Sequence, residues 1–173
     1  MAKIVDALSN GQLAVLPTET VYGLAGDATN GKAVARIFEL KQRPQFNPLI
    51  CHVSDQEMAA EHVMFDEVAR QLANAFWPGP LTLVLPRRPG SPVHDLATAG
   101  LDTIGVRCPI GLARQVIAEF GKPLAAPSAN RSGRVSPTTA DHVIDEFPEA
   151  ELPVLDSGPC LLGIESTILK IEK

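Results

Sequence analysis

Cysteine is scarce: Cys51, Cys108 and Cys160 are odd in number and far apart in a chain of 173 residues. Neither a disulfide framework nor a C-x-x-C zinc or redox site can be assembled from sequence-local pairs, which suits a reducing cytosol. No run approaches the roughly 20 apolar residues that span a bilayer, and the N-terminus has no apolar run of signal-peptide length. A cytoplasmic location with no membrane partner is the expectation. His52, His62, His94 and His142 show neither H-x-x-x-H nor H-E-x-x-H spacing, so no metal held by protein side chains is expected. Positive charge is short as well: 15 basic against 20 acidic residues leave a net charge of −5. That balance argues against a protein that coats nucleic acid through its overall field, although it leaves room for a local basic cleft.

What is present is an ordinary globular composition. The chain is 45% hydrophobic, too apolar for a disordered segment. A domain of this size buries roughly 70% of the surface of its unfolded chain, so it needs no staple. One domain over residues 1–173 is expected. The 13 glycines and 15 prolines cluster between the apolar runs, as in shaped loops on an α/β scaffold.

Periodicity predicts a short helix around Ile4, Val5 and Leu8, a stop at Asn10-Gly11 and a strand over 13–16. PTETVYGLAGDATNG (17–31) reads as one long, chemically loaded loop, followed by a helix from about Lys32 to Leu40. Further strands are predicted near 48–53, 81–85, 104–107, 123–126, 153–155 and 167–171. Helices are predicted over 56–61, 65–76, 112–120 and 141–147. In the helix over 65–76, Val68, Leu72 and Phe76 share one face. Trp77 reads as a core plug at its end. Pro86 to Leu101 has the composition of an exposed, mobile flap. Strands alternating with helices, some of them hairpin-like neighbours, point to an α/β fold with a twisted mixed sheet and flanking helices.

Several strings invite a chemical reading. Gly26 to Ala33 matches the opening of a phosphate-binding P-loop but has Ala33 where the Mg²⁺-binding hydroxyl belongs, and reads better as a turn capping a helix. Ser128 lacks a G-x-S-x-G elbow and a placed base, which counts against a covalent nucleophile. His52, inside an apolar run, reads on its own as a hydrogen-bonded core histidine. Lys41-Gln42-Arg43 falls at a predicted helix end, where cations complement the dipole. It gains meaning beside Ala126 to Pro137, a second loop after a buried strand, with three serines, Asn130 and two arginines. Loops of that kind at strand carboxyl ends bind ligands in open α/β sheets, and a nucleotide phosphate is the natural guest. A solvated, turn-rich surface loop explains the same composition.

PTETVYGLAGDA (17–28), KQRPQFNPL (41–49), FWPGPLTLVL (76–85), VRCP (106–109), APSANRSGRVSPT (126–138) and GIESTIL (163–169) together resemble the YrdC-like family of threonylcarbamoyl-AMP synthases. The resemblance runs over nearly the whole chain in the family's order. It implies a YrdC-like twisted sheet around a concave basic cleft. It also implies formation of threonylcarbamoyl-AMP and pyrophosphate from L-threonine, bicarbonate or CO₂, and ATP with Mg²⁺. A separate threonylcarbamoyl transferase then modifies tRNA; tRNA itself is at most a weak partner. By the same match Lys41 and Arg43 are catalytic. Lys41, Arg43, Arg107, Pro127, Ser128, Asn130 and Ser136 hold nucleotide, and Thr18, Tyr22, His52, Ser166 and Thr167 line the threonine side. Longer members carry a linker and a second domain, and the wording of this chain is closer to theirs. Two alternatives use the same fold: a double-stranded RNA or tRNA-binding module without synthase activity, and a carbamoyl-transfer relative that ignores threonine.

Overall fold

Seven short strands make one mixed sheet in the computed structural model, which describes residues 1–172. They are β1 (Ala14–Leu16), β2 (Gly23–Asp27), β3 (Ile50–His52), β4 (Leu81–Pro86), β5 (Thr103–Arg107), β6 (Leu124–Ala125) and β7 (Thr167–Lys170), and they lie in the order β1-β2-β6-β3-β5-β4-β7. The pairs β3–β5 and β4–β7 are parallel and the remaining pairs antiparallel. The helices are α1 (Ala2–Ser9), α2 (Gly31–Lys41), α3 (Gln56–His62), α4 (Glu67–Phe76), α5 (Asp95–Thr98), α6 (Leu112–Phe120) and α7 (Ala140–Glu146). The expected mixed α/β sheet with flanking helices is what forms.

Side chains alternate across a strand, so pairing register decides what each face carries. Leu124 sits across from His52, His52 across from Arg107, and Gly105 across from Val84. These residues therefore share a face with Ala14, Leu16 and Ala25, on which Ile4, Leu8, Val116 and Ile117 of α1 and α6 pack. The two helices cover only the β1-β2-β6 side. Over β3, β5, β4 and β7 the same face is left without a helix. The opposite face is closed along its length by the larger core, which includes Val34, Ile37, Cys51, Leu83, Ile104 and Val106.

Local chemistry starts and stops the helices. The Asn30 side chain accepts from the backbone N–H of Lys32 and Ala33, so the P-loop-like string is a helix cap, as the cap reading expects. Asp55, Asp66 and Thr139 cap α3, α4 and α7 in the same way. Gln42 ends α2 in the left-handed region at φ 51°, and Pro44 prevents its resumption.

Four expectations change. The long first loop is interrupted by β2, fully buried and paired on both sides; Gly26 leaves room for the Leu13 and Ile37 side chains, which a Cβ there would meet at 2.8 and 3.3 Å. In α4 the inward residues are Ala69 and Ala73, while Val68 and Phe76 are about half exposed; small alanines bring the helix close to the sheet. Residues 153–155 make only an isolated bridge, Val154 to Val15. The segment after β4 is not a flap. Arg87 donates to the carbonyls of Ser91 and Val93 and pairs with Asp95, Leu49 N–H bonds Ala97, and Val93 and Ala97 join the core. Trp77 does act as a plug, edge-on to Phe65 at 6.1 Å, with its indole N–H on the Leu81 carbonyl at 2.7 Å.

Candidate active site

The uncovered half of the sheet becomes a cleft of about 320 Å³. Its floor is Ile50 of β3, Thr103 and Gly105 of β5, and Thr82 and Val84 of β4. Each is the alternate, outward member of its strand, which is why a floor can be polar and small while the reverse side is solid core. One wall is Pro127 and Ser128, and another is Arg43 with Asn47 to Leu49. The last is the segment that leads into β7, with Glu165, Ser166 and Ile168. Gly105 sits mid-strand between two neighbours, where glycine is disfavoured by roughly 0.5–1 kcal/mol relative to alanine. A Cβ there would meet Thr82 and Ile50 at ordinary contact distances of 3.6 and 3.7 Å, so packing does not require the glycine. It keeps the floor low.

A second, wider hollow of about 560 Å³ lies on the other side of the 128–137 loop, lined by Asn130, Gly133 to Pro137, His142, Asp145 and Glu146. The two spaces meet where the Ser136 hydroxyl donates to Glu165 Oε1 at 2.7 Å. Asn130 is 6% exposed; its amide N–H₂ holds the carbonyls of Arg131 and Arg134, and its Oδ1 is buried with no partner.

Lys41, expected as a catalytic and nucleotide-binding cation, lies buried at the end of α2. It is 1% exposed, and its ammonium donates to the backbone carbonyls of Ser128 and Asn130. Its own carbonyl accepts Ser132 N–H at 2.8 Å. The residue pins the 128–132 loop from behind. Burial, with the neighbouring Arg43 second, lowers its pKa to about 8. Arg43 does face the cleft. Its Nε and Nη2 donate to the carbonyls of Asn47 and Pro48 at 3.1 and 2.9 Å, which leaves three of five N–H donors for a ligand. Burial pushes its pKa down, and Glu165 opposes the shift.

Arg107, expected on nucleotide, is 3% exposed and already paired: Nη2 lies 2.8 Å from Glu19 Oε1, and Nε donates to the Gly79 carbonyl at 3.3 Å. Glu19 Oε2 accepts Ile110 N–H at 3.1 Å. Thr18 and His52 line only a hollow of about 10 Å³ beneath α6, apart from the cleft. The Thr18 hydroxyl closes its own turn onto the Val21 carbonyl. His52 is held neutral, its pKa pushed down to about 3 by burial and by Arg107. Tyr22 is fully buried, its hydroxyl 2.9 Å from Asp156 and 2.8 Å from the Gly158 carbonyl. Thr167 alternates away from the face that Ser166 and Ile168 present. The cleft thus brings together Arg43, Pro127, Ser128 and Ser166; Asn130 and Ser136 line the neighbouring hollow.

The lining of this cleft does not itself show the expected basic character. Among the described residues Arg43 is the one cation of the cleft and Glu165 its one carboxylate, because Lys41 is spent on a loop and Arg107 on Glu19. Glu19, Glu165, Gly105 and the floor threonines were not singled out by sequence reasoning. The signal for the floor was available: Thr82, Thr103 and Gly105 break the apolar character of their strands.

Residues 6–173 match the Sua5/YciO/YrdC family model, which bears the description "Telomere recombination". The chain is 45% identical over 168 residues to the threonylcarbamoyl-AMP synthase of Pyrococcus abyssi, covering 95% of this chain and 48% of that protein. It is 43% identical over 171 residues to the enzyme of that name from Bacillus subtilis, covering 98% and 49%. The chain therefore spans about half the length of these curated relatives. The P. abyssi Sua5 structure complexed with L-threonine superposes with a TM-score of 0.90 at 44% identity, covering 96% of this chain and 49% of that one. Escherichia coli YciO shares the fold, with a TM-score of 0.84 at 22% identity over 99% of this chain and 83% of its own. With its matched residues running from α1 through β7, this chain belongs to the Sua5/YciO/YrdC family.

Proposed function

We propose that the chain is the catalytic part of an L-threonylcarbamoyladenylate synthase, joining L-threonine, bicarbonate or CO₂, and ATP into threonylcarbamoyl-AMP and pyrophosphate. The observation that carries the reading is the close fold match, at 44% identity, to a Sua5 structure holding L-threonine. The cleft supports it in chemical terms. A guanidinium, three hydroxyls at Thr82, Thr103 and Ser166, and an apolar strip suit a small amino acid with a hydroxyl and a methyl group.

In this reading threonine occupies the sheet-floor cleft. The nucleotide takes the wider hollow beside Asn130 and Ser136, and Ser128 and Arg43 stand at the junction. The threonine nitrogen first becomes a carbamate. A carbamate oxygen then attacks the α-phosphorus, and the bond to the pyrophosphate oxygen breaks with the electron pair leaving on pyrophosphate. Two anions must approach one another, so the chain's work is to hold them in line and offset charge. Arg43 offers fork-shaped donors for that, and Lys41 acts one step back by fixing the carbonyls of the loop.

No group of three His, Cys, Asp or Glu side chains that could hold a metal ion occurs among the described residues. Mg²⁺ accordingly enters as part of the MgATP substrate, ligated mainly by phosphate oxygens and water. No helix of the described residues is long and apolar enough to cross a membrane. The mixed anhydride produced is passed to a separate transferase acting on tRNA. A duplex-RNA module would need cations facing one way, whereas this cleft sets Arg43 against Glu165.

The test is pyrophosphate release by the 173-residue chain with MgATP, bicarbonate and L-threonine. Release that requires both threonine and bicarbonate and falls with serine supports the synthase. Release without threonine once carbamoyl phosphate is added selects the carbamoyl-transfer alternative, and no release with intact folding rejects the claim that this chain suffices.

A further inference from the structure

We propose that Tyr22 is a positioning residue for the reaction: its hydroxyl holds the 156–158 turn beside the 128–137 loop, and so sets where the segment that leads into β7 walls the cleft. The inference rests on the synthase reading for its effect on turnover. It starts from how completely one buried residue is used. Tyr22 is fully buried. Its N–H donates to the Pro137 carbonyl at 2.9 Å and its own carbonyl accepts Ala129 N–H at 2.8 Å, so its main chain is bonded near both ends of the 128–137 loop. Its hydroxyl is shared between Asp156 Oδ1 at 2.9 Å and the Gly158 carbonyl at 2.8 Å, and accepts Ser157 N–H at 3.3 Å. One residue of the first loop thus joins two segments that lie far along the chain.

Residues 156–166 form neither helix nor strand. A segment of that kind takes its place from the bonds that hold it, and these can be followed along its length. The first anchor is the phenol, around which Asp156 Oδ1 also accepts Gly158 N–H at 2.8 Å. Cys160 N–H then bonds the Thr138 carbonyl at 2.8 Å, and Leu162 and Gly163 N–H bond the carbonyls of Glu19 and Thr20 at 2.9 and 3.1 Å. At the far end the Ser166 and Thr82 hydroxyls lie 2.8 Å apart, and Glu165, Ser166 and Ile168 form the wall of the cleft. Burial chiefly raises the Tyr22 pKa, while Gly158 N–H and the Tyr22 hydroxyl hold the Asp156 carboxyl low. At neutral pH the anchor is therefore a phenol O–H on a carboxylate, a charge-assisted bond.

A phenylalanine ring would fill the same core, so the hydroxyl is what the site adds. Without it the Asp156, Ser157 and Gly158 groups turn to water, and the segment loses its register with the 128–137 loop. The cleft floor and Arg43 belong to other elements and keep their places. Binding to them survives, whereas the alignment of reacting groups suffers, and a displacement of about 1 Å can cost on the order of 10²-fold in rate.

The experiment is a double-mutant cycle of Tyr22→Phe and Asp156→Ala, with Asp156→Asn as the conservative variant. It is read by kcat and KM for pyrophosphate release and by hydrogen exchange at the Cys160, Leu162 and Gly163 N–H groups. Asp156 is exposed, so its variants keep the fold, which melting curves check. Tyr22→Phe should lower kcat and speed exchange at those amides by about tenfold each, the scale of one hydrogen bond to a charged group, with KM near wild type. Asp156→Ala should match it, and the double variant should be no worse than either single one. Asp156→Asn keeps an acceptor oxygen for Tyr22 and Gly158 and should stay near wild type. A Tyr22→Phe chain that melts lower but keeps its kcat and its exchange at these amides has lost core packing only, which overturns the inference. Additive losses in the double variant overturn it too, since the phenol would then act by another route. A wild-type chain that releases no pyrophosphate overturns the synthase reading; unchanged exchange in Tyr22→Phe is what overturns the anchor itself.

Discussion

Glu19 Oε1 lies 2.8 Å from Arg107 Nη2, with 5% and 4% of the two side chains exposed. The pair ties the PTET loop to β5, and the Glu19 and Thr20 carbonyls of the same loop accept the N–H groups of Leu162 and Gly163 in the segment before β7. A buried ion pair need not add stability over an apolar pair, but removing one member strands a charge. Glu19→Gln should therefore lower unfolding free energy by about 3–5 kcal/mol. Glu19→Gln combined with Arg107→Met should recover a large part of it. Urea unfolding of the single and double variants checks this, and equal losses in both would remove the pair as the cause.

Arg43 and Lys41 should separate on substitution. Arg43→Ala should leave the melting temperature within about 3 °C, since it anchors only a surface turn. Its activity should fall on the order of 10²-fold, as for loss of a donor aimed at developing charge. Lys41→Ala should lose activity and stability together, because it frees the carbonyls of Ser128 and Asn130. A Lys41→Ala chain that melts like wild type would show that the loop does not depend on its ammonium.

His52 sets an acid-side dependence. Its folded-state pKa is depressed from 6.5 to about 3. Between those values the unfolded chain binds a proton that the folded chain refuses, so stability falls as pH drops through that window and is unaffected by this group above pH 6.5. The contribution is about 1.4 kcal/mol per pH unit. In His52→Gln the decline between pH 6 and 4 should be shallower by that slope, read from denaturation midpoints at matched ionic strength.

Gly105→Val should fill the floor of the cleft. The backbone there is unstrained, and the first carbon meets Thr82 and Ile50 at ordinary distance, so the cost falls on the ligand. Threonine binding should weaken by about tenfold or more, the scale of a misfit in an apolar pocket, with little change in melting temperature. Unchanged binding would show that the ligand does not reach the strand floor.

Most of the scaffold could be read from local pattern. The helices began at Asn30, Asp55, Asp66 and Thr139 because capping is a short-range event. β2 was missed because its residues, Gly23 to Asp27, carry no alternation; a strand buried on both faces needs none. The segment after β4 looked mobile by composition and is held by Arg87, whose partners Ser91, Val93 and Asp95 no propensity would pair with it.

The order of residue types along the chain, by itself, determined the α/β class, most element positions, the two polar loops that meet at the cleft and the family. Tertiary structure alone decided which charges remain free. Lys41, Arg43 and Arg107 look alike as letters. Lys41 is spent on the carbonyls of Ser128 and Asn130 and Arg107 on Glu19, while Arg43 keeps donors toward the cleft. The reason is physical: a side chain's chemistry is set by its desolvation and by partners brought from distant parts of the chain, and neither is a property of local sequence. The floor at Gly105 and the carboxylate at Glu165 follow the same rule, since only strand register and the segment before β7 place them around one space.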